Sequence, residues 1–93
     1  MSNTFHSKVI RRPETLALTG CSKTTLHCLQ KKGLFVSPIP IGERAVGYLE
    51  HEVLVIIAAR SARKSDSEIK SLVGKLEEQR KHSANALIQA LVA

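Results

Sequence analysis

Two short apolar stretches broken by Thr19-Gly20-Cys21, in "LALTGCSKTTLHCLQKKGLF" (residues 16–35), constrain this chain more than any other feature. Glycine takes a left-handed backbone without a Cβ penalty, so it ends a helix where it follows one. Ser22 comes directly after, and its oxygen can accept from the N–H of Thr24 or Thr25 as an N-cap. Upstream, Pro13 suits a first helical position, where its missing N–H is unneeded, and Glu14 favours the positive end of the helix dipole. The pattern predicts a helix from about Pro13 to Thr19, with Leu16, Ala17 and Leu18 as its apolar side. A second runs from about Lys23 to Lys32 and stops at Gly33. Two helices joined by a three-residue turn with a glycine form a helix-turn-helix when they cross steeply.

At about 100° per residue, Thr25, Leu26 and Leu29 fall on one side of the second helix, and Lys23, Thr24, His27, Cys28 and Lys31 on the other. Gln30 lies at the margin. The outer set is sized for a DNA major groove: Lys and His donate, and Thr donates or accepts. Taken alone, an ordinary solvated helix face reads the same way. Charge weighs on the choice. Residues 8–44 hold seven Lys and Arg against Glu14 and Glu43, a net +5 of the chain's +6. A basic field confined to one half favours a polyanionic partner, nucleic acid above all. At 93 residues the chain is one small domain with little room for a catalytic pocket, and excess apolar surface would go to a partner.

"FVSPIPIGERAVGYL" (residues 35–49) sets apolar residues on either side of Gly42-Glu43-Arg44, with Pro38 and Pro40 holding the first arm extended. It predicts a small β-hairpin tipped by Arg44, its proline arm at an edge, joined at most by a strand over Lys8 to Arg11. Such a hairpin is a wing, placed to touch phosphate. A third helix is expected from about Glu50 to Arg63, with Val53, Ile56 and Ile57 facing the core and Leu54, Val55 and Ala58 opposite, in need of a second cover. Ser65-Asp66-Ser67-Glu68 fits the S-x-x-E capping box, and Ile69, Leu72, Val73, Leu76, Leu87, Ile88 and Leu91 recur at helical spacing. One long helix follows from that phase. Arg80 and Ser83 interrupt its stripe and Gly74 weakens it, which leaves open two helices with a kink near residue 80. The expected organisation is a flexible N-terminus (1–7), a winged helix-turn-helix (8–63) and a helical extension (64–93) that docks on the third helix or pairs two copies as a homodimer.

Other chemistries find little support. Cys21 and Cys28 are seven apart, without a second pair, so neither a zinc site nor a disulfide is expected. Glu50-His51-Glu52 lacks the H-E-x-x-H spacing and opens a helix where acids suit the dipole, so it reads as capping and solvated surface. No Gly-rich phosphate loop occurs. The chain is expected to be no enzyme and to need no cofactor. "MSNTFHSKVIRR" has no apolar run of signal-peptide length and no segment approaches a membrane span, which predicts a cytoplasmic protein.

The order of these pieces, with "PETLALTGCSKTTL" and "GERAVGYLEHEV" as the most specific parts, resembles the AlpA-type prophage regulators. These are small winged helix-turn-helix proteins related to phage excisionases and to the MerR DNA-binding domain. The resemblance spans about Val9 to Arg63. It implies a mainly helical fold with a small β-hairpin and a role in binding double-stranded DNA, with Ser22, Lys23, Thr24, His27 and Cys28 facing DNA and Arg44 as the wing contact. Lys31 joins them from the helical wheel. Transcriptional control of mobile-element genes is the first expectation, an excisionase assisting an integrase the second, and a protein-interaction module the third. Three departures stand out. His27-Cys28 replaces the usual Tyr-Arg, removing a bidentate guanine reader; Tyr48 replaces the more usual Trp; Cys21 takes the place of a buried Leu.

Overall fold

A computed structural model describes residues 8–92; the N-terminus expected to be flexible, residues 1–7, lies outside the described residues. The elements are β1 (Val9–Arg11), α1 (Arg12–Thr19), α2 (Lys23–Lys31), β2 (Ile39–Pro40), β3 (Val46–Leu49), α3 (Glu50–Ser61) and α4 (Asp66–Val92).

The turn between α1 and α2 is fixed from both sides. Gly20 closes α1 in the left-handed region (φ 71°), its N–H donating to the Leu16 carbonyl at 2.9 Å. The Thr19 hydroxyl donates to the Thr15 carbonyl (2.9 Å) and accepts from the Cys21 N–H (3.3 Å), so a side chain bridges the turn that glycine permits. The inward stripe of α1 differs from the expected one. Thr15 is fully buried and Leu16 partly so, whereas Ala17 and Leu18 are exposed. An eight-residue helix turns one narrow stripe inward, and Thr15 can occupy it because its hydroxyl is satisfied on the Arg11 carbonyl at 3.0 Å.

Three antiparallel strands lie in the order β1-β3-β2, pairing Ile10 with Tyr48 and Ile39 with Gly47. Proline-containing β2 takes an edge, as a residue without an N–H donor must. Central β3 contains buried Gly47, where an added Cβ would come within 2.5 Å of Val9 Cγ1, so the neighbouring strands close over the glycine.

The core gathers Ile10, Leu26, Leu34, Phe35, Val36, Tyr48, Val53 and Ile56 from the winged fold together with Ile69, Val73 and Leu76 from α4. The extension is thus part of the same core. It is a single helix of 27 residues, started by the capping box: Ser65 Oγ accepts from the Glu68 N–H (3.2 Å) while Glu68 Oε1 accepts from the Ser65 N–H (2.9 Å). The expected cover for α3 is partial. Val55 is half-buried against the core, but Leu54 and Ala58 remain exposed.

Glu52 corrects the sequence reading outright. It is fully buried rather than solvated, and Arg80 of α4 donates to both its oxygens, from Nη2 at 2.6 Å and from Nε at 3.2 Å. Arg80 Nη2 also donates to the Ser37 carbonyl (3.0 Å), and Glu77 accepts from the Ser37 N–H (2.7 Å). The residue that interrupted the apolar stripe is the one that ties α4 to α3 and to the loop after α2.

Candidate nucleic-acid interface

α2 is anchored by the apolar side of its own wheel. Leu26 is buried and Leu29 half-buried, which leaves Lys23, Thr24, His27, Cys28 and Lys31 exposed, as their spacing predicts. Thr25 departs from the wheel: it is exposed, its hydroxyl accepting from Ser22 Oγ at 2.9 Å. Ser22 Oγ also accepts from the Thr25 N–H at 3.1 Å. The Ser22 hydroxyl is therefore engaged by the cap in both directions, and its side chain serves first to start α2. At about 10–12 Å across with its side chains, an α-helix matches the width of a major groove, about 12 Å, and nine residues give α2 a length of roughly 13 Å.

One flank of this face lines a shallow open cleft. Arg12 from the start of α1, Lys23, Thr24, Leu26, His27 and Gln30 from α2, and Tyr48 from β3 form its walls. No carboxylate lies among them, and the nearest acid in sequence, Glu14, pairs with Lys8 at 3.6 Å. Lys23, Thr24 and His27 are brought together here; Cys28 and Lys31 are exposed but lie outside the cleft. Arg44 is exposed at the wing tip, between strands closed by the Ile41 N–H to Ala45 carbonyl bond at 3.0 Å, and it too lies outside the cleft.

Sequence reasoning missed two of these groups. Arg12 entered only the charge count, although its place one residue before Pro13 already put it at a helix start. Gln30 was left at the margin, and its Oε1 accepts from the Tyr48 hydroxyl at 2.6 Å. Nothing in the local pattern pairs positions 30 and 48; only the folding of β3 and α2 onto one core does. Both cysteines are free thiols, Cys28 exposed and Cys21 half-buried against the core, where its place in the resemblance implied a small structural residue.

Two helices around a locked glycine turn, a three-stranded sheet with an exposed hairpin tip, and a basic outer face on the second helix define a small winged helix-turn-helix protein. Residues 8–60, more than half of the chain, match the model of the prophage CP4-57 regulatory protein (AlpA) family, and the chain belongs to that family. No curated protein and no solved structure matches it. Among the described residues, no helix is long and apolar enough to cross a membrane.

Proposed function

We propose that this prophage regulatory protein acts by sequence-specific binding of double-stranded DNA, as a transcriptional regulator of prophage or other mobile-element genes. One observation carries the reading: the α2 face opposite Leu26 exposes Lys23, Thr24, His27 and Lys31 and no carboxylate. Thr24 and His27 sit at the middle of that face, where side chains reach base edges. Lys23, Lys31 and the wing-tip Arg44 act on phosphate, which fixes register without reading sequence.

The two roles separate experimentally. Arg44→Ala is expected to weaken binding to all sequences by a similar factor and to flatten the salt dependence by about one counterion, a slope change of ~0.9. His27→Ala or Thr24→Ala should instead reorder operator variants by roughly 1–3 kcal/mol at particular base pairs. Titration of each variant against an operator library at two salt concentrations checks this. Uniform loss in His27→Ala together with altered preference in Arg44→Ala would mean that the wing reads the DNA. Genomic footprinting supplies the operator and tests the role itself: sites at promoters support the regulator, and sites beside attachment sequences would make it an excisionase.

A further inference from the structure

Tyr48 has no solvent exposure and packs edge-on against Phe35 at 5.9 Å between ring centroids, yet its hydroxyl reaches out of the core to Gln30 on α2. The sequence reading gave this position to packing alone, as a stand-in for the more usual Trp. The bond decides which atoms of Gln30 are left for α2 to present.

A carboxamide has one acceptor oxygen and two N–H donors. With the Tyr48 hydroxyl donating to Oε1, that oxygen is turned toward Tyr48 and the Nε2 protons remain. Among the described residues Nε2 has no hydrogen-bond partner and no buried side-chain nitrogen or oxygen is left unpaired, so Nε2 is open to solvent. Gln30 lines the same cleft as Arg12 and Lys23, neither of which is paired with a carboxylate among the described residues. Three donors thus surround one opening without a carboxylate. A base edge offers a mixture of donors and acceptors, whereas phosphate oxygens only accept.

We infer that the cleft between the start of α1 and the outer face of α2 holds a backbone phosphate of the bound DNA. Arg12, Lys23 and Gln30 Nε2 donate to its oxygens, and Tyr48 is the positioning residue that aims Gln30. The inference rests on the DNA-binding reading above. Because Tyr48 is fixed in the core, Gln30 is held before DNA arrives and loses little rotamer freedom on binding. The contact is independent of sequence and sets how deeply α2 sits in the groove.

The test uses the full chain and a fluorescently labelled random-sequence duplex, titrated at two salt concentrations, with a thermal melt of every variant. Gln30→Ala and Tyr48→Phe are each expected to weaken binding by about tenfold, the worth of one hydrogen bond to a charged acceptor, and the double variant by no more than the weaker single. Gln30→Glu keeps an acceptor for Tyr48 but lacks the donors, so it should lose more affinity than Gln30→Ala. Arg12→Ala should lower the salt slope by ~0.9. Wild-type affinity in a folded Tyr48→Phe protein, or a loss that adds to that of Gln30→Ala, overturns the inference. Should Tyr48→Phe not fold, the Gln30 variants decide, and wild-type affinity in Gln30→Glu overturns it. Inorganic phosphate at matched ionic strength should displace the duplex no better than sulfate; stronger displacement would assign the cleft to free phosphate instead. If the wild-type chain binds no duplex even at low salt, the DNA-binding reading itself fails. If it binds while the Arg12, Gln30 and Tyr48 variants are unchanged, only the phosphate cleft is lost.

Discussion

Glu52 and Arg80 hold each other in a place where neither charge is tolerable alone: the carboxylate has no solvent exposure and the guanidinium side chain only 18%. Removing one partner of a buried pair strands the other without compensation, at a cost of about 3–5 kcal/mol, whereas an apolar replacement of both is often neutral. Arg80→Ala should therefore destabilise by that amount in urea melts, and Glu52→Leu with Arg80→Met should recover most of it. A double variant no more stable than Arg80→Ala would show that the bonds to Ser37 carry the effect instead. Neither residue announced this role. Glu52 sat in an acidic helix start, and Arg80 broke an apolar stripe; their meaning depends on a contact across 28 positions. By contrast, Gly20 and Ser22 were legible because the bonds they make are local.

Helices begin where their first N–H groups find acceptors, and α4 shows it in isolation from the core. Glu68 is fully exposed, and hydrogen bonds from the Ser65 backbone, then from its side chain, with the charge of Lys64 adding, hold its carboxyl below the ordinary value of 4.5. The folded state thus prefers the ionised form. Above 4.5 this contribution to the start of α4 is fully present; as pH falls through the depressed folded value the unfolded chain binds more protons and the contribution is lost. Protection factors for the amides of residues 65–69, corrected for the intrinsic pH dependence of exchange, should fall in that acid window, and Ser65→Ala should lower them at neutral pH as well. Protection in wild type that is unchanged down to pH well below 4.5 would remove the capping box from the account. At the same scale α1 and α2 divide differently: caps and turn could be read off the chain, while the inward stripe of α1 went to Thr15 because a local hydroxyl bond made its burial tolerable.

For the whole molecule, α4 is both a wall of the core and an overhang. Its length, about 40 Å at 1.5 Å per residue, matches the 41 Å long axis, and the radius of gyration of 13.7 Å exceeds the roughly 12 Å of a compact chain this size. Ile69, Val73 and Leu76 are buried on the body; Leu87, Ile88, Leu91 and Val92 are exposed beyond it. Truncation after Arg63 would remove three buried apolar side chains, each worth about 1.5–3 kcal/mol, and leave Glu52 unpaired. That loss is comparable to the whole stability of a small domain, about 5–15 kcal/mol, so the shortened chain should not fold cooperatively. Truncation after Ala84 should leave the melt unchanged. If residues 85–93 pair two copies, the second truncation instead lowers both the mass seen by light scattering and, by mass action, the melting temperature; an unchanged mass would restrict α4 to its place in the core.

The sequence by itself determined whatever is local: the helix starts and stops, the glycine turn, the edge position of the proline strand, the capping box, the polar face of α2 and the basic half of the chain. Each follows from bonds within one turn of helix or from a period that repeats along the chain. Tertiary structure alone decided which of two apolar sides of α3 was covered, that Glu52 is buried, that Arg80 serves as its partner, and that Tyr48 reaches Gln30. Those depend on which surfaces meet. A side chain's exposure and its partner are set by residues far away in sequence, and no local pattern encodes them.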